Sequence, residues 1–135
     1  MRVKCLYNTG KHLHIEKKED EWERKSKMRL TINKEYIVYG ICYHDYTFNY
    51  LVYEDTNIPF WYAIELFEII NDKAPNSWHF AFRNNKDSPM KMIWGYDELA
   101  NQEGHSDDLL VVGTEKAVKI FHKRKAEIEE EESYF

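Results

Sequence analysis

The stretch EYIVYGICY at residues 35–43 limits the fold more than any other part of the sequence. Its β-branched and aromatic side chains mark a strand. Both faces of that strand are apolar, with Tyr36, Val38, Gly40 and Cys42 on one and Ile37, Tyr39, Ile41 and Tyr43 on the other. A strand with one wet face alternates apolar with polar residues. This strand is therefore covered on both sides, either within the fold, for instance by a C-terminal helix, or by a partner.

Further strands are expected at residues 2–7, 47–53, 59–63, 68–70, 78–83 and 90–94. His44 and Asp45 turn the first hairpin, EDTN at 54–57 the second, and residues 78–94 form a third. Pro59 suits the first position of its strand, where a missing donor does little harm. One helical turn is read at 63–67. The charged run at 11–29, KHLHIEKKEDEWERKSKMR, has no clean period and reads as a long loop, with 13–15 a short strand. Residues 97–101 predict a helical turn, and Ser106 with Asp107 and Asp108 a capped helix entry. Thr114 can recap the chain, and residues 115–131 give the best helix, with Ala117, Phe121, Arg124 and Ile128 on one stripe. Its last turn is all acid, which opposes the helix dipole, so that turn is expected to fray.

Charge is segregated along the chain. Nine basic and five acidic side chains in residues 1–29 leave +4, one lysine and seven acids in 30–72 leave −6, and five acids without a base close the sequence at 126–135. The net value of −5 argues against general nucleic-acid binding and favours cationic partners. Ten of the 21 aromatic residues fall between Tyr36 and Tyr62, inside the −6 block. Tyrosine joins contact area to a hydrogen-bonding tip and suits interfaces. Tyr43, Asp45, Tyr53, Glu54, Asp55 and Trp61 are therefore the expected contact residues for a basic protein. Reversing charge at Glu54 and Asp55 is expected to slow association and leave the fold intact.

The first half carries VKC (Val3, Lys4, Cys5), then LTINKEYIVYG at 30–40, YLVYED at 50–55 and PFWYAIELFEII at 59–70. This order resembles an SH3-like small-barrel module of bacterial and phage proteins, with Asn33 where that pattern has Gly and Ala63 where it has Pro. The likeness covers residues 1–71. The rest, through WGYDEL at 94–99, HSDDL at 105–109 and Ala117, Ile120, Phe121 and Arg124, is similar to small bacterial immunity proteins, which bind and silence a toxin. These likenesses imply a single α+β domain: an antiparallel SH3-like β-barrel of about five strands over 1–71, extended over 72–135 by a β-hairpin and a C-terminal α-helix. The function they imply is stoichiometric neutralisation of a basic toxin. The alternative is an SH3-like accessory module that binds a peptide or nucleic acid through the basic 11–29 loop.

No nucleophile elbow, phosphate loop or dinucleotide fingerprint is present, and the glycines stand singly. His12, His14 and Glu16 share one side of an extended backbone but lack a fourth ligand; His44 with Asp45 reads as a surface pair at a turn, His79 and His105 lack nearby cysteine ligands, and His122 reads as helix surface. No enzyme activity, cofactor or metal is expected. Cys5 and Cys42 lack CxxC spacing and both point into the expected barrel, where they are read as packing residues. Two cysteines, no apolar run near 18 residues and no signal-like N-terminus lead to the expectation of a cytoplasmic protein.

Overall fold

The computed structural model describes residues 1–12, 27–44, 46–83, 86 and 90–134. The strand over 35–43 is divided at Val38 and Tyr39 into β2 (Glu35–Ile37) and β3 (Gly40–His44). The amide of Val38 donates to the carbonyl of Met1 at 3.1 Å, and the next amide, of Tyr39, donates to Leu51 at 2.8 Å. The chain thus passes from one sheet to another within two residues. β2 joins β1 (Arg2–Cys5) and β6 (Phe67–Asn71) in a three-stranded sheet of order β2-β1-β6. β3 lies at the centre of a five-stranded sheet completed by β4 (Thr47–Tyr53), β5 (Pro59–Ala63), β7 (His79–Phe82) and β8 (Met90–Gly95), in the order β5-β4-β3-β8-β7. Every ladder is antiparallel.

The expected barrel is not closed. Both hydrogen-bonding sides of β3 are taken, by β4 and β8, so β3 cannot also ladder to the N-terminal sheet. The pairing of β8 with β3 also places the second half of the chain in the same sheet as the first. The α+β class holds, as open sheets in layers.

Two apolar clusters result. One contains Val3, Cys5, Tyr36 and Val38 together with Tyr50 and Val52 of the large sheet, and so lies between the sheets. The other contains Tyr39, Cys42, Leu51 and Ile93 together with Leu99 and Phe121 of a helical layer. Both faces of the 35–43 stretch are thus covered from inside: the small sheet covers one, and the terminal helix the other, with Phe121 edge-on to Tyr39 at 5.6 Å. Cys5 and Cys42 are free and buried, but they belong to different clusters on opposite faces of the large sheet. Their expected proximity is corrected, because the crossing at Val38 and Tyr39 separates them.

The helical layer comprises α1 (Asp97–Asn101), α2 (His105–Asp107) running directly into a π-helical turn at Asp108–Val112, and α3 (Glu115–Glu132). Thr114 caps α3 by accepting the amide of Ala117 at 3.2 Å. The acidic last turn does not fray. Glu132 is buried and holds the Met1 ammonium at 2.6 Å and the Asn71 amide group at 3.0 Å, and Lys125 binds Glu129 at 2.6 Å. The Met1 ammonium from the chain start and Lys125 from the helix itself offset the unfavourable dipole. Asn33 has φ 72°, a left-handed conformation that Gly or Asn adopts most readily, which accounts for the residue type there. Among the described residues no helix is long and apolar enough to cross a membrane.

α1 seats on the sheet through two facing glycines. Gly40 and Gly95 are cross-strand partners, and a Cβ on either would run into Cδ2 of Leu99, at 2.7 Å from Gly95. Leu99 is fully buried, so it can yield only by displacing the side chains packed around it. Gly95→Ala is expected to destabilise the fold by about 1–3 kcal/mol through overpacking, read as a lower urea midpoint. Leu99→Ala in the same chain should recover part of that loss.

Candidate interaction surface

The residues nominated from sequence are not brought onto one surface. Tyr43 lies half-buried on the small-sheet side of the large sheet, its ring 5.1 Å from Phe48. Tyr53 and Trp61 lie on the opposite, helix-covered side. The Tyr53 ring meets Phe121 at 6.0 Å with the Lys125 ammonium 4.7 Å above it, and Trp61 Nε1 donates to Ser106 Oγ at 3.2 Å. Asp45 lies outside the described residues. Of the other rings in the block, Tyr36, Tyr39, Tyr50 and Tyr62 are core, while Tyr46, Phe48 and Phe60 are exposed.

Glu54 and Asp55 are structural. Glu54 is 3% exposed, ion-paired with Arg29 at 3.4 Å, and accepts the amide of Thr56 at 3.3 Å. Asp55 accepts from Thr31 Oγ1 at 2.6 Å, Lys34 Nζ at 2.7 Å and the Tyr36 hydroxyl at 2.7 Å. Burial alone would raise the Asp55 carboxyl, but the hydrogen bonds from Lys34, Thr31 and Tyr36 outweigh it and hold the group below its ordinary value. These carboxylates tie the 54–57 turn to residues 29–36. The double change Glu54→Lys with Asp55→Lys, expected from sequence to spare the fold, instead buries an ammonium beside Arg29. It should destabilise the chain by roughly 3–5 kcal/mol, seen as a large drop in the thermal midpoint.

A different acidic surface is present in the helical layer. Residues 97–115 hold Asp97, Glu98, Glu103, Asp107, Asp108 and Glu115 and no Lys or Arg. Among the described residues two of these acids have a cation: Arg124 binds Glu98 through Nε at 2.8 Å and Nη2 at 2.9 Å, and Lys119 binds Glu115 at 2.9 Å. Glu103, Asp107 and Asp108 are exposed. Between them and Glu115 the π-helical turn ends at Gly113 (φ 72°), whose amide and that of Thr114 both return to the Asp108 carbonyl, at 2.8 and 2.9 Å. That closure turns Val111 and Val112 outward, 78% and 69% exposed. Sequence reasoning passed over this segment because Asp107 and Asp108 were fully accounted for as helix-entry residues. Ser106, read as their cap, is a helix-interior residue that receives Trp61. The available signal was the run of 24 residues, 92–115, without Lys or Arg.

The turn rests on a rigid base. The Tyr96 hydroxyl and His105 Nε2 are 2.7 Å apart and buried. The Trp61–Ser106 bond ties the segment just before the turn to the sheet, and the Glu98–Arg124 pair ties α1 to α3. Burial pushes the His105 imidazole below its ordinary value, against the opposing pull of Glu98 and Asp108.

Comparison with known proteins returns no match: no family model, no curated protein and no solved structure aligns significantly with the chain.

The sign of the His105 effect follows from its depressed value. The folded state prefers the neutral ring, so the stability it contributes is complete above an unfolded-state pKa of about 6.5 and is lost as pH falls through the lower folded value. Urea midpoints should therefore decline from pH 7 toward pH 5 in the natural chain. In His105→Gln, which keeps a hydrogen-bonding side chain beside Tyr96, that slope should flatten. The loss tied to Asp55 should appear only below the ordinary carboxylate range, because its value is lowered.

Proposed function

We propose that this chain is a non-catalytic protein-binding protein with a cationic partner, in its most specific form a bacterial immunity protein that neutralises a basic toxin by stoichiometric binding. The observation that carries the reading is the outward pair Val111 and Val112, which follow the exposed acids Glu103, Asp107 and Asp108 in a stretch from 92 to 115 that holds no Lys or Arg. Exposed apolar side chains ringed by one sign of charge suit an interface: the charge speeds encounter, and the apolar pair is desolvated on contact. Each valine fully covered by a partner is worth about 1.5 kcal/mol or more. The acidic character inferred from the whole sequence supports the same partner, with the docking surface moved from the 43–61 block to the 103–115 turn.

The SH3-like likeness of residues 1–71 belongs to this proposal as an opened small-barrel scaffold, enlarged by β7, β8 and the helices. Its role is to hold the turn rigid. No step of bond-making is required; binding covers the partner's cationic surface and keeps its own ligand away.

The test uses the basic protein that the chain retains from its source cells, with association followed by surface-immobilised kinetics. Asp107→Lys with Asp108→Lys should slow association about tenfold at low salt, and the difference should shrink as salt is raised. Val112→Ser should instead speed dissociation. Kinetics unchanged in both variants would remove the 103–115 turn as the docking surface.

A further inference from the structure

The outer edge of the large sheet shows a second feature, independent of the acidic turn. Among the described residues β7 pairs only with β8, and the amide of Arg83 donates to the carbonyl of Lys91 at 2.8 Å just beyond its end. In an antiparallel ladder, hydrogen-bonded and non-bonded pairs alternate. The bonded pairs are therefore Arg83 with Lys91, Ala81 with Ile93 and His79 with Gly95. The N–H and C=O groups of Phe80 and Phe82 point the other way, out of the sheet, and among the described residues nothing accepts or donates to them.

The side chains match that open edge. Phe80 and Phe82 are 51% and 75% exposed, with rings 4.9 Å apart. Phe82 begins a row that crosses the sheet through Met92 and Tyr43 to Phe48, each directly opposite the next, and Phe80 begins a parallel one through Trp94 and Ile41 to Tyr50. Natural edge strands are guarded by charge, proline or a bulge. β7, with the sequence HFAF, has no Lys, Arg, Asp, Glu or Pro and no irregularity in its pairing. The other edge, β5, begins with Pro59.

We infer that the β7 edge is a strand-pairing site whose occupant is a second copy of this chain. The strand is self-complementary about Ala81. A two-fold axis there sets Phe80 opposite Phe82 of the second copy, twice, and both pairs are the outward-pointing, bond-forming ones. Ala81 then faces Ala81 in the non-bonded position, on the helix-covered side, where a small side chain lets the strands approach. Four backbone hydrogen bonds form, and four phenylalanine rings line up on the opposite face. The pairing is isologous, so it uses up the edge and stops at two copies.

Area fixes its strength. At about 200 Å² per ring, the two phenylalanines expose roughly 250 Å² in each copy. The pair of copies covers on the order of 500 Å² of ring surface, well under the ~1,200 Å² of a stable specific dimer. The dimer is therefore weak and forms only at high concentration.

Sedimentation velocity on the purified full chain, from about 10 μM to about 1 mM, tests this. The expected result is a monomer at the low end and a reversible approach to twice that mass at the high end. Amide exchange at Phe80 and Phe82 should slow with concentration while Leu51 is unchanged. Phe82→Pro removes one outward N–H without touching the ladder to β8 and should abolish the dimer; Phe82→Leu keeps that N–H and should retain it. Phe82→Lys, at an exposed position the fold tolerates, should also give monomer. A mass that stays monomeric throughout, dimerisation by the proline variant, or dimerisation that leaves the Phe80 and Phe82 amides unprotected would each overturn the inference.

Discussion

The architecture depends on the change of sheet at Val38 and Tyr39. Consecutive amides bond to different sheets, so Val38 faces the cluster between the sheets and Tyr39 faces the helices. From there on, alternation along β3 and β4 feeds both clusters in turn: Tyr50 and Val52 one way, Leu51 the other. A central sheet buried on both faces has apolar residues at nearly every position, as the 35–43 stretch does. The hydrophobic gain is shared by three layers that could not each bury their own surface alone.

Specific polar contacts then set the outer layers. The Asp55 hub fixes the 54–57 turn to residues 31–36, and Glu132 fixes the end of α3 to the N-terminal sheet. Arg124 reaches from α3 to Glu98 on α1, while Tyr96 and Trp61 reach from the sheet side to α2. Each contact joins segments far apart in sequence. Together they leave one acidic turn projecting from a fixed base, with its valines aimed at solvent.

Much of the fold was legible in local sequence. The alternation of residues 78–83, the turn chemistry at 54–57 and the Thr114 cap all depend on neighbours a few positions apart, and all appear. What depends on distant partners was not legible. Nothing near Glu132 in sequence announces the Met1 ammonium, so the last helical turn read as frayed. Nothing near Glu54 announces Arg29 or the closure of the 54–57 turn, so a buried carboxylate read as a docking charge. The break at Val38 and Tyr39 carries no proline or charge, and alternation alone continues straight through it. That one break turns a barrel into two sheets and parts the two cysteines. The acidic turn at 103–115 was visible as composition, but capping explained its aspartates too well for exposure to be asked about.

Amide hydrogen exchange, mapped on the chain alone and in complex with a basic protein it retains from its source cells, tests the proposed docking surface. New protection is expected to concentrate at residues 107–113, with the 54–57 turn and the β3 and β4 amides unchanged between the two states. Protection that falls on the 54–57 turn and leaves 107–113 exchanging as in the free chain would contradict it.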